Sequence, residues 1–544
     1  GQGVKRQLEE LDKIVQKKDH PFRSAAIYRS IPLLIDTEEW ELAMRRSVEL
    51  FNAERKSYSA IKLTAYLSEI YKSLNQKEKK EFFEKMPLSN MELKGFDLTE
   101  IPLKMNENIT DLTLSGNPVS DIFSLRDKKL YDLSLDSTQV SDISAISSMP
   151  LSRLNISRAP VISLAPLKGK WLSLFYARYC EKIKWSTIPN CKISNVIFDG
   201  SKITDPQNLE RIDADTVRVS RCGLTNLNFI KGMSPYSLKA FSNDIDDISG
   251  LEGMNLKDVL LGKNLIEDLS PLKSAGIYGT LLLTENPVED LTPLQDQPIR
   301  TLKIVGTAVR DFSILSSLPK LRNLQMGSGR FRTADRGMVE SHLRGISTLK
   351  GLKLKWLDLS GSHISDIASL KNNVLFGELN ISNNPVSDIS PLTGQMLTSL
   401  DISQCAITDF SIIKSLRNLR HLKMKGVRYQ NREAESRYYD DISSMSDLQL
   451  ENLDLSINEI SDISSLQSCV ISQSLNLAEN PIEDLTPLRG SLLRHLNITS
   501  TKVNNLDVLL TMPNLSMVYI SGVKLTAQHW AVMKELSHVR FHKD

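Results

Sequence analysis

The sequence lacks the composition signals of nucleic-acid-binding, membrane-spanning and disulfide-rich proteins. Its 67 basic and 65 acidic residues leave a formal charge of +2, which excludes the strongly basic field of a general nucleic-acid binder. No run of roughly 18 apolar residues occurs, so no segment has the composition of a transmembrane helix. The five cysteines are odd in number and scattered, unlike the dense, even set of a disulfide scaffold.

Signatures of catalysis are also missing. Among the eight histidines, His421 and His495 lie on predicted strand flanks, but neither has a nucleophile partner or a carboxylate at metal-ligand spacing. No glycine-rich phosphate loop is present. Asp358 and Asp401 belong to one row of a predicted sheet, but Lys423 continues that row and would oppose a calcium ion. We therefore predict no enzyme activity, no cofactor and no metal.

The beginning of the chain carries little information about location. The first residue is Gly1 and not methionine, and no charged segment followed by an apolar one opens the sequence. We expect from this that a segment was removed or that a tag residue remains. The location of the protein is therefore open at this stage.

What the sequence does contain is a repeat of 21 or 22 residues. Residues 357–392 hold two copies, in which Leu357 and Leu359, then Leu379 and Ile381, alternate with polar residues. Alternation predicts a strand, and the short period predicts one coil of a solenoid. The pattern predicts 20 strands beginning at Met91, Leu112, Leu133, Leu154, Phe175, Val196, Val217, Leu238, Val259, Leu281, Leu302, Leu324, Leu357, Leu379, Leu400, Leu422, Leu453, Leu475, Leu496 and Val518.

A short polar residue follows most strands at one fixed distance, where the chain turns into the interior. Such a side chain can pair with the backbone groups that enter the core there. Cys180, Cys222 and Cys405 share this position, so we interpret them as structural thiols. An aspartate that follows predicts a cap for a short helical turn. The predicted ladder is Asn117, Thr138, Cys180, Ser201, Cys222, Asn243, Asn264, Asn286, Thr307, Asn384, Cys405, Asn458, Asn480 and Thr501.

The ends of the chain differ from the repeat. Residues 1–88 predict five helices, which would form an N-terminal domain that covers the first coil; a separate docking role stays open. The solenoid then occupies residues 89–544, with a C-terminal cap near 525–544. That cap would contain a helix from Thr526 to Leu536 and a closing strand around Val539 and Phe541.

The repeat carries a resemblance to a known family. LFGELNISNNPVSDISPL and SLNLAENPIEDLTPL are similar to the 21- to 22-residue leucine-rich repeats of the bacterial internalins and the related phosphatase-regulator class. The resemblance implies an α/β solenoid, a right-handed arc with a parallel concave sheet of about 20 strands, here with an all-α N-terminal domain. It also implies protein binding, at the cell surface or outside the cell. The larger helical block and the lack of an immunoglobulin-like domain or wall-anchor signal depart from internalins, so a cytoplasmic location stays open.

A first group of predicted binding residues lies on the concave face of the sheet. Aromatic and aliphatic side chains beside cations are typical of protein interfaces, although scattered apolar residues also occur on ordinary sheets. A one-residue slip near Lys182 and Lys184 would turn Tyr176 inward and expose Phe175. The group is Tyr176, Arg178, Ile197, Arg218, Lys239, Phe241, Leu260, Leu282 and Lys303.

A second group lies where the period breaks. Two coils, near 327–350 and 426–446, are expanded by about ten residues. Inserted loops of this kind often take part in binding, although they can also have no functional role. Their arginines and aromatics are typical of binding hot spots, and they would frame Asp358 and Asp401 on the sheet. The residues in the expanded coils are Arg330, Phe331, Arg332, Tyr429, Arg432, Tyr438 and Tyr439.

These features together predict a non-catalytic module that binds another protein. The alternative is a regulatory or structural ligand-sensing segment of a longer protein that carries an enzyme domain upstream. A carbohydrate ligand would need aromatics in a row, but Tyr176, Phe241, Trp356 and Tyr519 lie far apart in the repeat. Nucleic acid is disfavoured by the balanced charge.

Overall fold

The computed structural model describes residues 2–17, 23–53, 68, 71–72, 90–101, 109–335, 337–343, 345–426 and 439–543. The chain divides into two compact units, Gly1–Asp244 and Ile245–Asp544, called here the N-terminal and C-terminal units. Within the described residues, no helix combines the length and the apolar character needed to cross a bilayer.

The N-terminal unit opens with three helices, α1 (Gln2–Val15), α2 (Arg23–Asp36) and α3 (Trp40–Ala53). Helix α2 is buried along one side, as its apolar spacing predicts. Most of the fourth predicted helix and all of the fifth lie outside the described residues. In the fourth, Ser68 donates a hydrogen bond of 2.7 Å to the Gly95 carbonyl, and Tyr71 packs 5.6 Å from Phe96. The helical segment therefore contacts the first coil.

The repeats of the N-terminal unit form parallel strands joined by short turns. A four-residue helix, α4 (Ile230–Met233), replaces one of the 3-10 turns. The other turns are Phe123–Leu125, Ser144–Ser148, Ala165–Leu167, Trp185–Thr187 and Pro206–Arg211. The strands are β1 (Asn90–Glu92), β2 (Asp111–Thr113), β3 (Asp132–Ser134), β4 (Arg153–Asn155), β5 (Trp171–Tyr176), β6 (Cys191–Ile197), β7 (Ile212–Asp213), β8 (Thr216–Arg218) and β9 (Ser237–Lys239).

The C-terminal unit continues the same design and adds one antiparallel hairpin, β14 (Gly329–Arg332) with β15 (Met338–Ser341). Its 3-10 turns are Ser249–Leu251, Ser270–Lys273, Thr292–Leu294, Ser313–Ser317, Ala368–Asn372, Ser390–Leu392, Ser411–Ser415, Ser464–Ser468, Thr486–Leu488 and Asp507–Thr511. Its repeat strands are β10 (Asn255–Leu260), β11 (Gly276–Leu282), β12 (Thr301–Lys303), β13 (Asn323–Gln325), β16 (Lys353–Asp358), β17 (Val374–Asn380), β18 (Ser399–Asp401), β19 (His421–Lys423), β20 (Gln449–Asp454), β21 (Val470–Asn476), β22 (His495–Asn497), β23 (Met517–Tyr519) and β24 (Arg540–His542).

The register of the strands follows the sequence repeat. In the N-terminal unit Leu112 pairs with Leu133, and in the C-terminal unit Leu281 pairs with Leu302. The central residues from Leu112 to Val518 are at most 2% exposed and form the core. All 20 predicted strands are confirmed, and the fold is a leucine-rich-repeat α/β solenoid in each unit.

The predicted polar ladder is confirmed: its asparagines, its cysteines and Ser201 form hydrogen bonds between coils, whereas its threonines bond within their own coil. The Asn286 amide nitrogen donates to the Leu261 carbonyl of the preceding coil and to the Leu283 carbonyl of its own coil, each at 2.9 Å. Its amide oxygen accepts from the Ile266 N–H at 3.1 Å. The ladder side chains are at most 6% exposed, so these bonds replace water for backbone groups that have left the sheet.

The cysteines of the ladder act in the same way. The Cys222 thiol donates to the Phe198 carbonyl at 3.2 Å and the Cys405 thiol to the Ile381 carbonyl at 3.2 Å. Burial raises the pKa of Cys180 to about 11 and that of Cys222 to about 12. All five cysteines are free thiols, and these two stay protonated at neutral pH.

Aspartates cap the short turns, as the sequence predicts. The Asp268 carboxylate accepts from the Ser270 hydroxyl at 2.6 Å and from its N–H at 2.7 Å. These bonds hold the pKa of Asp268 below its ordinary value, and bonds from Thr486 do the same for Asp484. The equivalent bond to the N–H two residues on is made by Asp121, Asp142, Asn226, Asp247, Asp290, Asp311, Asp366, Asp388, Asp409, Asp441, Asp462 and Asn505.

The C-terminal end carries helix α5 (Ala527–Glu535) and the last strand, β24. The Thr526 hydroxyl caps the helix by accepting from the His529 N–H, while the His529 ring accepts from the Thr526 N–H at 3.1 Å. Strand β24 pairs in parallel with β23 through Phe541 and Val518.

The asparagine ladder gives a first prediction. Asn286→Ala leaves the Leu283 carbonyl and the Ile266 N–H without a partner in the interior and removes one of the two donors to the Leu261 carbonyl, so we expect it to lower the free energy of unfolding by about 2 kcal/mol or more. Thr501→Val is the matched control, because the Thr501 hydroxyl donates only to the Ile498 carbonyl of its own coil, at 2.7 Å. Its expected cost is about 1 kcal/mol. Urea denaturation measures both, and equal losses would contradict the importance of bonds between coils.

The capping aspartates give a second prediction. Because folding lowers the pKa of Asp268 and Asp484, their carboxylates stabilise the fold above the ordinary pKa of about 3.9, and this stability is lost as pH falls through the lowered values. Asp268→Asn with Asp484→Asn keeps an acceptor but cannot titrate. We expect the urea midpoint of this variant to fall less than that of the wild type as the solution is acidified.

The control for the capping aspartates is Glu267→Gln, which removes an exposed acid beside Asp268 that accepts no hydrogen bond in the described part of the chain. Its acid dependence should match that of the wild type. If the Asp268 and Asp484 variant also matched the wild type, the caps would not contribute to acid sensitivity.

Candidate protein-binding surface

The predicted face of the N-terminal unit is a continuous row across neighbouring strands. Tyr176, Arg218 and Lys239 follow the central residues of β5, β8 and β9, and strand β6 places Ile197 between the first two. Phe175 is fully buried and Tyr176 is half-buried, so the register slip considered for this stretch does not occur. Tyr176, Arg218 and Lys239 therefore share the solvent-facing side of the sheet.

Ile197 corrects the prediction, because it is only 6% exposed. In register it stands between the longer side chains of Tyr176 and Arg218, so it packs under its neighbours instead of meeting solvent. The pattern of alternation placed Ile197 on the right side of the strand. It could not predict the covering by adjacent coils.

Arginines and tyrosines stack on each other at the end of this row. The Arg178 guanidinium carbon lies 5.0 Å from the centre of the Tyr176 ring, and that of Arg158 lies 5.3 Å from the Tyr179 ring. Arg218 forms an ion pair of 2.7 Å with Asp199. Guanidinium groups on aromatic faces are held in fixed orientation with their N–H groups free to bind outward.

The face of the C-terminal unit is more apolar. Leu260, Leu282 and Lys303 lie in register on β10, β11 and β12, and each is half-buried. The Lys303 ammonium lies 5.3 Å from the Trp356 ring, so this aromatic is also part of the surface. Leu260, Leu282 and Lys303 therefore lie on one face of the sheet, as the sequence predicts.

Asp358 and Asp401 have a structural role that the sequence prediction missed. Each carboxylate accepts from the N–H two residues on, Ser360 or Ser403, at 3.0 Å, and Asp358 is 9% exposed and also accepts from Gln325. Both carboxylates fix the turn at the strand end, and Asp358 is in addition buried with both oxygens bonded, whereas Asp401 is half-buried and stays a predicted contact residue. The same bond is made by Asn155, Asn380, Asp454, Asn476 and Asn497.

The first expanded coil is the β14–β15 hairpin. Arg330 pairs with Glu340 across it at 2.8 Å, both side chains being exposed, and Arg332 is half-buried. Phe331 corrects the prediction: it is 8% exposed and anchors the hairpin, because alternation along β14 turns it inward. Met338 and Val339 are instead the exposed apolar residues, at 57% and 41%.

The hairpin is fixed to the coil beneath it. The Ser341 hydroxyl donates to the Thr307 carbonyl, and the Leu343 N–H donates to the Ser328 hydroxyl at 3.2 Å. A side chain at Gly329 would lie 2.8 Å from the Gly306 backbone, so glycine is required for this close approach. The hairpin is therefore an ordered part of the surface.

In the second expanded coil, Tyr429, Arg432 and Tyr438 lie outside the described residues. Tyr439 corrects the prediction, because it is 5% exposed and its hydroxyl donates to the Ile402 carbonyl at 2.6 Å. Its N–H donates to the Asn458 amide oxygen at 2.9 Å. Tyr439 thus makes the bonds between coils that a ladder residue makes elsewhere.

Other candidate residues escaped the sequence prediction. Arg158, Tyr179 and Arg221 lie four residues after the central strand positions, on the coils of β4, β5 and β8. Tyr179 is 46% exposed, and Arg158 and Arg221 are also exposed. Their common repeat position was the signal that could have found them. No group of three histidine, cysteine or acidic residues in the described part of the chain could hold a metal ion.

No protein-family model and no curated protein sequence matches the chain. Similar solved structures include an internalin (inlF) from Listeria monocytogenes, 18% identical, covering 82% of this chain and 89% of that chain with a TM-score of 0.30. A leucine-rich-repeat protein of Leptospira interrogans is 14% identical, covering 86% and 98% with a TM-score of 0.31. A TLR13–ssRNA13 complex is 17% identical, covering 80% and 82% with a TM-score of 0.44.

The repeat geometry of the chain defines its fold. Strands in parallel register, a buried asparagine ladder and capped 3-10 turns recur every 21 or 22 residues in both units. The chain therefore has the leucine-rich-repeat fold.

Proposed function

We propose that the chain is a non-catalytic module that binds another protein through the solvent-facing side of its sheet. The supporting residues in the N-terminal unit are Tyr176, Arg178, Arg218, Lys239 and Phe241. Those in the C-terminal unit are Leu260, Leu282 and Lys303.

The observation that carries this proposal is the contrast between two kinds of coil. In seven coils the residue after the central strand position is an asparagine or aspartate that bonds to its own turn, as Asp401 does. From Tyr176 to Lys239, and again from Leu260 to Lys303, the same position carries aromatic, aliphatic or basic side chains. The turn does not use them, so the fold does not account for their presence.

The chemistry of these side chains suits a protein partner. Half-buried leucines and aromatics lose little hydration on binding, and arginine adds directed hydrogen bonds, so residues of these types dominate the energetics of interfaces. In the C-terminal unit, Leu260 and Leu282 lie side by side, and Lys303 with Trp356 continues the surface. An extended sheet face of this kind fits a macromolecule better than a small ligand.

The hairpin offers a second contact surface. Met338 and Val339 present apolar area that the described part of the molecule leaves uncovered, and Arg330 with Glu340 adds charge beside it. Binding by the second expanded coil, through Tyr429, Arg432 and Tyr438, stays a prediction from the sequence.

The test uses affinity capture from extracts of the source organism, with two face variants compared with the wild type. We expect a specific partner to be retained by the wild type and reduced at least tenfold by one or both variants, since hot-spot side chains each contribute about 1 kcal/mol or more. The variant of the N-terminal unit carries Tyr176→Ala, Lys239→Ala and Phe241→Ala; that of the C-terminal unit carries Leu260→Ala, Leu282→Ala and Lys303→Ala.

The matched control removes two apolar side chains and one cation outside the strands: Phe123→Ala, Ile162→Ala and Arg126→Ala. Phe123 and Ile162 are 56% and 42% exposed, and Arg126 stacks on Phe123 as Arg178 stacks on Tyr176. The control should capture the same partner as the wild type. The proposal fails if both face variants retain every protein that the wild type retains.

A further inference from the structure

Arginine and tyrosine are concentrated at the C-terminal ends of β4, β5 and β8, three of four successive strands in the N-terminal unit, with β6 lying between β5 and β8. Backbone bonds from Arg158 to Arg178 and from Tyr179 to Asp199, of 2.8 and 3.2 Å, hold the coils of β4, β5 and β6 side by side there. The Gly200 and Ser220 backbones continue this contact to the coil of β8. We call the resulting group the arginine–tyrosine cluster: Arg158, Tyr176, Arg178, Tyr179, Arg218 and Arg221.

Tyr179 extends the cluster across a neighbouring coil. A Cβ atom placed on Gly200 would lie 2.3 Å from the Tyr179 ring, so the ring covers that glycine. Arg158 stacks on Tyr179 and Arg178 stacks on Tyr176, at 5.3 and 5.0 Å. The rings thus hold two guanidinium groups in place, which lowers the conformational entropy lost when a ligand binds them.

The charge of the cluster is not balanced internally. Asp136 pairs with Arg158 at 3.2 Å, and Asp199 pairs with Arg218 at 2.7 Å. For Arg178 and Arg221 the described part of the chain provides no carboxylate in ion-pair range. Two guanidinium groups are therefore left for an anionic partner. The coils of β5 and β8, which carry Arg178 and Arg221, are two strand spacings apart, about 10 Å.

We propose that the arginine–tyrosine cluster binds an acidic segment of the partner protein. This rests on the function proposed above and specifies the chemistry of the partner at one end of the face. Arginine donates paired hydrogen bonds to a carboxylate, and an extended segment of about four residues would span the distance between Arg178 and Arg221. The tyrosine rings supply apolar contact beside the carboxylates.

The same geometry disfavours a nucleic acid. Asp136 and Asp199 already pair with two of the four arginines, which leaves few cations for a continuous run of phosphates, and the whole chain has a formal charge of only +2. Arg158 and Arg178 already cover one face of Tyr179 and of Tyr176, which reduces the ring surface on which bases would stack. The carboxylates of a peptide are smaller than phosphates and each lies on its own side chain. They therefore fit the two free guanidinium groups better than a nucleic acid backbone does.

The test measures binding of the full chain to a fluorescein-labelled peptide of five Glu-Gly repeats by fluorescence anisotropy. We expect Arg178→Ala with Arg221→Ala to weaken binding about tenfold or more, and added salt to weaken binding to the wild type. The control, Arg126→Ala with Arg489→Ala, removes the same charge from exposed turns and should stay within about twofold of the wild type. Circular dichroism verifies that all variants are folded.

Four results would overturn the proposal. They are absence of peptide binding, equal loss in the control variant, equal binding of a Gln-Gly peptide, and tighter binding of a ten-nucleotide single-stranded RNA than of the acidic peptide. In each case, partner capture that depends on Tyr176, Phe241 or Leu260 would leave the proposed protein-binding function standing. If partner capture did not depend on any of these three residues, the proposed protein-binding function would also be contradicted.

Discussion

The hydrogen bonds of the buried ladder amides are the constraint on which the rest of the molecule depends. Most repeat strands have only three residues in the sheet, so each coil turns its backbone into the interior almost at once. The amide of Asn480, for example, joins the Leu455 and Leu477 carbonyls and the Ile460 N–H, at 2.8 to 3.1 Å. A short polar residue recurs at the same position in most coils, and this recurrence accounts for the regular period of the sequence.

The two expanded coils interrupt the repeat of 21 or 22 residues, and in both the insertion begins at the ladder position. In the coil of β13 that position is Gly329, where the hairpin starts, and in the coil of β19 it is Val427, so neither coil has a polar ladder side chain. In the second case Tyr439 returns from the insertion and bonds to the Ile402 carbonyl in place of the missing side chain. An insertion is tolerated here because the lost bond between coils is made by a residue at its far end.

The parts of the fold that the sequence predicted are those decided within one coil. The strand centres, the ladder and the capping aspartates depend on local alternation and on atoms two or three residues away, as at Asp268. Ile197, Phe331 and Tyr439 were placed on the surface because their burial depends on neighbouring coils or on an insertion folding back. Asp358 has a local explanation, the turn bond to Ser360, but a free and a bonded carboxylate look the same in the sequence.

At the C-terminal edge of the sheet, the fold restricts the backbone conformation of one repeat position but not the type of its side chain. The residue four positions after each strand centre has positive φ in coil after coil, as at Arg158, Tyr179 and Arg221 with φ of 57°, 54° and 57°. Glycine would suit this backbone best, and a side chain there costs about 1 kcal/mol. Ser137, Lys263, Glu285, Gln404 and Ser500 occupy it elsewhere, so the backbone demands neither charge nor aromaticity. Because the backbone at this strained position does not require two arginines and a tyrosine, their presence there is consistent with a role in binding.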